Sequence, residues 1–143
     1  MLRVYIASPF NGTSVEETRQ NIVYARLCML DSLQRGEAPY LSHLLYTQVW
    51  AETPEQREAG LAAGDMWRDT ADRVAIYTDL GVTTGMQRAI EKAREGTCVS
   101  RNLEPVKFNG VGLEGVDFRT PSAWRQLLAL MTLDGFPALS GAP

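Results

Sequence analysis

Short apolar runs alternate with longer segments of helical periodicity along residues 1–100. Each run is a few residues long and ends at polar or turn-forming residues, which is typical of strands buried on both faces of a parallel sheet. The pattern predicts strands at residues 2–7, 38–41, 73–77, 97–99 and 106–108. It predicts helices at residues 14–34, 54–70, 84–95 and 121–135.

Recognisable caps mark the starts of three of these helices. Ser14 opens a Ser-x-x-Glu capping box, and Thr53 stands before a proline at the first helical position, with Gln56 three residues past the cap. Thr83 and Thr84 both offer a hydroxyl for the N-cap of the helix that follows the third strand.

Strands that alternate with helices predict an α/β fold. The expected form is a flavodoxin-like or Rossmann-like doubly wound parallel sheet of about five strands, covered on both faces as a three-layer sandwich. In this arrangement the first and third strands are neighbours. Residues 1–143 read as a single domain, in which the segment from about residue 103 is a C-terminal extension with a terminal helix.

Two helices carry apolar patterns that predict what they contact. The helix at 14–34 has a wide apolar surface, which predicts a homo-oligomer interface; the alternative is packing on two partners within the fold. That surface comprises Ile22, Val23, Leu27, Cys28, Leu30 and Leu33. In the helix from residue 54, the predicted packed stripe comprises Ala59, Ala62, Ala63, Met66 and Thr70, with Trp67 beside it as a core aromatic residue.

Two polar loops, at residues 8–12 and 79–85, follow the first and third strands. Because parallel strands end at the same edge of a sheet, both loops are expected to border one ligand-binding crevice. The second loop leads into a helix start at which Gly85 allows close approach to free backbone N–H groups, as an anion site requires. The alternative is an ordinary strand-to-helix turn without a ligand.

The side chains near this crevice suit a sugar or a base. Ser8 and Asn11 offer hydrogen bonds and Phe10 offers a ring face, although Ser8 and Asn11 are equally typical of a turn that bonds its own backbone. His43 and Tyr46 follow the second strand and are expected to wall one side. His43 is interpreted as a hydrogen-bond donor to a ligand or, alternatively, as a packed residue.

Carboxylates are the predicted catalysts, since the single histidine and two cysteines form no nucleophilic triad. Asp79 ends the third strand, where it would accept from sugar hydroxyls or act as a general base; the alternative is a turn aspartate. Asp65 is the second candidate, although its place near the end of its helix also fits a solvated face. Carboxylates of this kind are typical of glycosyl chemistry.

Composition narrows the function classes further. The chain has 14 Lys and Arg against 17 Asp and Glu, a net charge of −3, so nucleic acid is not an expected partner. With one histidine and no Cys-x-x-Cys, no metal is expected. No apolar run approaches the ~18 residues of a membrane span. The two cysteines read as buried free thiols, which together with the absence of a leader predicts a cytoplasmic protein.

Several motifs in order resemble the nucleoside 2-deoxyribosyltransferase-like superfamily, in particular a branch of short proteins that are often phage- or prophage-encoded. The motifs are VYIASPF, PYLSHLLYT, TPEQREAGLAAGDMWRDTADRVAIY and TTGMQRAIEKAREG, and they cover roughly residues 1–100. The resemblance implies a flavodoxin-like fold, homodimers or larger homo-oligomers, no cofactor, and a nucleoside or nucleoside monophosphate in the crevice. In the host cell of a phage such a protein would be cytoplasmic.

The resemblance also completes the predicted site. The predicted ligand-binding residues are Ala7, Ser8, Pro9, Phe10, Asn11, His43, Tyr46, Thr83, Thr84, Gly85 and Met86. In the enzymes of this superfamily a glutamate early in the helix after the glycine turn attacks the anomeric carbon. Here that position is occupied by Ala89, and Glu91 lies about half a helical turn away.

Two functions are therefore expected from the sequence. The first is cleavage of the N-glycosidic bond of a deoxynucleoside or its monophosphate, by hydrolysis or deoxyribosyl transfer, supported by Asp79 or Asp65. The second is nucleotide binding without turnover, such as a phage sponge for a nucleotide signal. Ala89 favours the second function, and the motif order favours the first.

Overall fold

A parallel sheet of four strands forms the centre of the part of the chain that the computed structural model describes, namely residues 1–51, 53–95, 103–106 and 120. In chain order the elements are β1 (Arg3–Ala7), α1 (Val15–Gln34), β2 (Ala38–Tyr40), α2 (Ser42–Leu45), a 3₁₀ turn (Tyr46–Gln48), α3 (Pro54–Thr70), β3 (Arg73–Tyr77), α4 (Thr84–Glu95) and β4 (Leu103–Val106). The protein is thus an α/β protein with a parallel sheet, as the alternation of patterns predicts.

The strand order is β2-β1-β3-β4. The predicted neighbourhood of the first and third strands is confirmed, with Val4 opposite Arg73 and Ala7 opposite Ile76. Because β1 and β3 end level with each other, the loops that leave them start at the same edge of the sheet. The loop after β1 and the loop before α4 therefore both reach that edge.

The two central strands are apolar because both of their faces are covered. On one face, Tyr5 and Ile76 belong to a core that includes Met86 of α4. Tyr77 faces α1, where its hydroxyl donates to Asp31 Oδ2 at 2.6 Å. At the edge of the described sheet, β2 contains Pro39, which fits an edge strand because proline cannot donate to a second neighbour.

The caps predicted for the helices are confirmed. Ser14 Oγ accepts from the backbone N–H of Glu17 at 3.1 Å, while Thr53 Oγ1 accepts from that of Gln56 at 3.3 Å. Thr83 Oγ1 accepts from the backbone N–H of Met86 at 3.3 Å, so that Thr83 is the cap of α4. Each cap pairs a backbone donor that would otherwise lack a partner.

The wide apolar surface of α1 is covered mainly within the chain. Val23, Leu27 and Cys28 are buried, and α1 packs against β1 and β2. Of the six residues in the predicted surface, Leu33 is exposed, at 52% of its maximum. The alternative in which α1 packs inside the fold therefore accounts for most of this pattern.

The predicted packed face of α3 is wrong. Gly64 and Arg68 are the buried residues of this helix, whereas the predicted stripe is exposed at Ala59, Ala62 and Met66. A Cβ on Gly64 would lie 2.9 Å from Ser42 Oγ, so the helix comes close to its neighbours at a residue that has no side chain. Apolarity alone could not identify the buried side.

Trp67 is likewise not a core residue, since it is 55% exposed. Its ring lies against that of Tyr40, with centroids 5.3 Å apart, on the outside of the sheet edge. Arg68 takes the interior position instead, with its charge balanced by Asp65 at 2.5 Å and Asp69 at 2.9 Å.

The predictions for the C-terminal third have different outcomes. The strand predicted at 106–108 begins earlier, because β4 spans Leu103–Val106 and shares Val106 alone with the prediction. The strand predicted at 97–99, the helix predicted at 121–135 and Cys98 lie outside the described residues. The chain divides into two units, Met1–Gly110 and Val111–Pro143, and the single-domain interpretation stays a prediction.

None of the helices in the described ranges combines the length and the apolarity that crossing a membrane demands.

Candidate functional site

A cavity of about 320 Å³ opens at the edge of the sheet where β1 ends. Four segments of the first unit form it: the end of β1 and its loop, α2 with the turn that follows, the start of α3, and the start of α4. Its wall comprises Tyr5, Ile6, Ala7, Ser8, Phe10, Asn11, Ser42, His43, Tyr46, Thr47, Trp50, Ala51, Gln56, Arg57, Gly60, Leu61, Thr83, Thr84, Gly85, Met86 and Ala89. A cavity of this size suits a small organic ligand.

The loop after β1 is held in place by α1. Asn21 Nδ2 donates to the Phe10 carbonyl oxygen at 3.0 Å, and the Gly12 backbone N–H donates to Thr18 Oγ1 at 3.0 Å. A Cβ on Gly12 would lie 2.5 Å from the Glu17 Cβ, so this close packing of the loop on the helix start requires glycine. The fixed loop directs Phe10 and its neighbours into the cavity wall.

Ser8 and His43 form a polar contact in the wall. Ser8 Oγ lies 3.0 Å from His43 Nε2, and Ser8 is 6% exposed. Burial lowers the pKa of His43 to about 4, so the imidazole is neutral at pH 7 and one nitrogen is free to accept a proton in a hydrogen bond. The ring of Phe10 lies 5.7 Å from that of His43 and covers it.

A second pair of aromatic rings lines the cavity. The rings of Tyr46 and Trp50 have centroids 6.3 Å apart and are tilted by 36°. The Tyr46 hydroxyl accepts from Tyr40 at 2.7 Å, which anchors Tyr46 to β2. The wall therefore presents two aromatic pairs together with hydroxyl and amide groups.

The start of α4 forms part of the same wall. Gly81 has a φ of 88°, which a side chain disfavours, and its N–H donates to the Thr78 carbonyl at 2.9 Å to turn the chain after β3. A Cβ on Gly85 would meet no more than Thr83 Oγ1 at 4.0 Å, so the surface at Gly85 is open. This geometry allows a ligand to approach the first turn of the helix.

The predicted ligand-binding residues gather in this wall with one exception. All of them line the cavity except Pro9. They come from three segments that are distant in the chain and adjacent at the edge of the sheet.

A sequence family described as "Domain of unknown function (DUF7768)" matches residues 2–102. The chain belongs to this family. Searches of curated proteins and of solved structures found no match. All residues of the cavity wall lie within the DUF7768 match.

The two predicted catalytic carboxylates do not line the cavity of the DUF7768 domain. Asp79 Oδ2 accepts from the Tyr24 hydroxyl at 2.5 Å, and burial is the main cause that raises the pKa of Tyr24 well above its usual value. Asp65 is paired with Arg68. The structure thus brings the predicted binding residues together but not Asp79 or Asp65.

Among the described residues of the DUF7768 domain, the cavity wall contains no aspartate or glutamate, and no group of acidic, histidine or cysteine side chains is arranged to hold a metal. Ala89 lies in the wall, at the position where the resembled enzymes carry their nucleophile. The wall that is described therefore has binding groups, including the cation Arg57, but no carboxylate.

Several residues of the wall are not predicted from the sequence, among them Trp50 and Gly60, and Gln56 is interpreted there only as part of a helix start. The signal for Gln56 and Gly60 was their spacing of four residues, which puts them on one face of α3. Nothing within the sequence near Trp50 shows that its ring lies against that face.

Proposed function

We propose that the cavity binds a nucleoside or a nucleoside monophosphate. The observation that carries this proposal is the combination, in one wall, of two aromatic pairs with the Ser8 hydroxyl and the Asn11 amide. Aromatic faces stack on a base, and hydroxyl and amide groups hydrogen-bond a sugar or the edge of a base. A cavity of about 320 Å³ is compatible with a ligand of this class.

We place the phosphate of a monophosphate at the start of α4. The first turn of this helix offers backbone N–H groups and the positive end of the helix dipole. Gly85 leaves this turn open, and the exposed Arg57 lines the same cavity. Both features support an anionic group on the ligand.

The finer architecture that accompanies this function is also a proposal. The order β2-β1-β3-β4 and the helices on both faces support a flavodoxin-like, doubly wound, three-layer fold with a fifth strand. In such folds ligands bind at the carboxyl ends of the strands where the direction of winding changes. The position of the cavity at the end of β1, the strand that pairs with β3, agrees with this rule.

Binding without cleavage is the form of the function that the wall supports better. Ala89 presents a methyl group where attack on the sugar would need a carboxylate, and Asp79 is engaged by Tyr24. Cleavage of the N-glycosidic bond is the second candidate, supported by the order of motifs and by the position of Asp79 just after β3. A protein that binds without cleavage would act as a regulator or as a sponge for a nucleotide signal.

Titration calorimetry and chromatography test both candidates. The purified chain is titrated with each 2′-deoxynucleoside and its 5′-monophosphate, and each mixture is then analysed for free base. We expect the chain to bind a ligand that is recovered intact. Asn11→Ala is expected to weaken this binding about tenfold, because it removes a hydrogen-bonding amide. The control Gln34→Ala removes an amide at the exposed end of α1 and is expected to leave binding unchanged. Release of free base by the parent, abolished by Asp79→Asn, would establish cleavage instead. Failure to bind any of the 2′-deoxynucleosides or 5′-monophosphates would refute the proposal.

Self-association and a cytoplasmic location remain proposals as well. Exposed apolar side chains support self-association, in particular Met66 at 71% and Trp67 at 55%. Both lie on α3 away from the cavity wall.

A further inference from the structure

The side-chain oxygen of Gln56 is buried at the wall of the cavity and accepts no hydrogen bond from the residues that the structure describes. Buried amide oxygens in folded proteins nearly always accept one, because an unpaired oxygen loses its hydration without a replacement. The backbone N–H of the same residue donates to Thr53 Oγ1 at 3.3 Å, which fixes Gln56 in the first turn of α3. The oxygen therefore marks a point at which a bound molecule can supply a donor.

Two aromatic rings pack against α3 one helical turn from Gln56. Gly60 follows Gln56 by about one helical turn on the same face of α3. A Cβ on Gly60 would lie 3.7 Å from the Trp50 indole and 3.9 Å from the Tyr46 ring, so both rings rest against the helix beside Gln56. Gln56 and both rings line the same cavity, and an acceptor together with aromatic rings in one wall suits a flat heterocycle, which has a face to stack and an edge to hydrogen-bond.

We propose that Gln56 selects the base of the ligand by accepting a hydrogen bond from an exocyclic amine. The cavity then prefers an amino-bearing nucleobase, namely adenine, cytosine or guanine, over the same ring without the amine. This inference rests on the proposed function, since it assumes that the cavity binds a nucleoside or nucleotide. It adds a specificity-determining residue and the class of base.

The chemistry of the Gln56 oxygen and the base amine explains the preference for an amino-bearing base. The amide oxygen can only accept, and an amine hydrogen of the base fills the vacant position when the ligand is bound. When the bound base carries hydrogen in place of the amine, the Gln56 side-chain oxygen stays buried and has no donor. Sites built to bond a polar group reject analogues that lack it, because the protein group is left unpaired.

The test compares ligands that differ by the amine alone. One pair is 2′-deoxyadenosine and the 2′-deoxyriboside of unsubstituted purine; a second is 2′-deoxycytidine and the 2′-deoxyriboside of 2-pyrimidinone. All four are titrated calorimetrically, as nucleosides and as 5′-monophosphates. We expect the amino-bearing member of at least one pair to bind about tenfold or more tightly than its partner. 2′-Deoxyguanosine and 2′-deoxyinosine form a third pair and are titrated in the same way, because hypoxanthine is guanine without the 2-amine. Hypoxanthine is not compared with adenine, since relative to adenine it gains a ring N–H that would also donate.

Variants separate recognition from structure. Gln56→Leu is expected to weaken the amino-bearing ligand about tenfold and leave its partner unchanged, which removes the discrimination. The matched control is Gln34→Leu on the exposed end of α1, which is expected to preserve it. The free Gln56→Leu protein is expected to melt at the same temperature as the parent or higher, because an unpaired buried oxygen has been replaced by an apolar group.

The outcomes are distinct. Binding of none of the 2′-deoxynucleosides or 5′-monophosphates, those of guanine and thymine included, would overturn the proposed function and this inference with it. Equal binding of both members, or tighter binding of the member without the amine, would overturn the role of Gln56 and leave the proposed function intact. A Gln56→Leu protein that melts lower and keeps the discrimination would show that Gln56 is a structural residue.

Discussion

Ser8 Oγ and His43 Nε2 lie 3.0 Å apart, although 35 positions separate the two residues in the chain. Ser8 directly follows β1, and His43 is the second residue of α2, the short helix after β2. The contact therefore ties the two neighbouring segments together at the cavity wall. Because Ser8 is buried and His43 is partly buried, the imidazole stays neutral at pH 7, and its protonation connects the stability of the fold to pH.

The first prediction concerns that pH dependence. The pKa of His43 is lowered from 6.5 to about 4 by burial, so the folded state disfavours the proton that the unfolded state accepts. The stability that the neutral His43 side chain contributes is fully present above pH 6.5. It is lost as the pH falls towards 4, because the unfolded chain binds the proton first. We expect the parent to lose on the order of 3 kcal/mol more unfolding free energy over that interval than His43→Gln.

Urea denaturation of both proteins at several pH values measures this difference. Carboxylates titrate in both proteins and cancel in the comparison, including Asp72, whose pKa is lowered to about 2 chiefly by the hydrogen bond from Arg3. Parallel curves for the two proteins would contradict the buried, neutral state of His43.

The second prediction concerns the glycine face of α3. Gly64→Ala puts a methyl group 2.9 Å from Ser42 Oγ, and that hydroxyl is held by Tyr5 at 3.0 Å. We expect a loss of about 1–3 kcal/mol in the free energy of unfolding, measured by urea denaturation. Gly60→Ala is the matched control, because its nearest contact would be 3.7 Å from the Trp50 ring. The control should gain up to ~1 kcal/mol from helix propensity; equal effects at both positions would contradict the close packing at Gly64.

The third prediction concerns the position of Ala89 in the cavity wall. If the cavity holds a nucleoside at the site that the resembled enzymes use, Ala89→Glu restores a carboxylate near the sugar. We expect free base to appear with this variant, at a rate that chromatography detects over hours, and not with the parent. Ala89→Gln has the same size without the charge and should release none. Release by both variants, or by neither while the ligand still binds, would contradict this placement of the sugar.

The fourth prediction concerns the exposed apolar face of α3. Met66 is 71% exposed, and an apolar contact between two copies would bury it. We expect light scattering to give a mass above the 15.8 kDa of one chain for the parent, and a mass of one chain for Met66→Glu. Gln34→Glu adds the same charge at the end of α1 and should leave the mass unchanged. A parent that remains a single chain at high concentration would refute self-association.

Several features of the fold and site could be predicted from the sequence alone. The caps at Ser14, Thr53 and Thr83 could be identified because each hydroxyl bonds a backbone N–H three residues away. The adjacency of β1 and β3 followed from general rules of parallel sheets, and it brought the loops after both strands to one edge. The caps depend on chemistry within a few residues, and the strand adjacency depends on rules that parallel α/β sheets follow in general.

Tertiary structure alone decided which side of α3 is buried and what reaches the cavity. Apolar spacing favoured the side with Met66, but the absence of a side chain at Gly64 allows the helix to approach Ser42. Likewise, Asp79 follows a strand as a catalytic residue would, yet the Tyr24 hydroxyl from a distant helix engages it. Such outcomes depend on the shapes and hydrogen-bond partners that segments far apart in the chain present to one another, and those relationships leave no local pattern in the sequence.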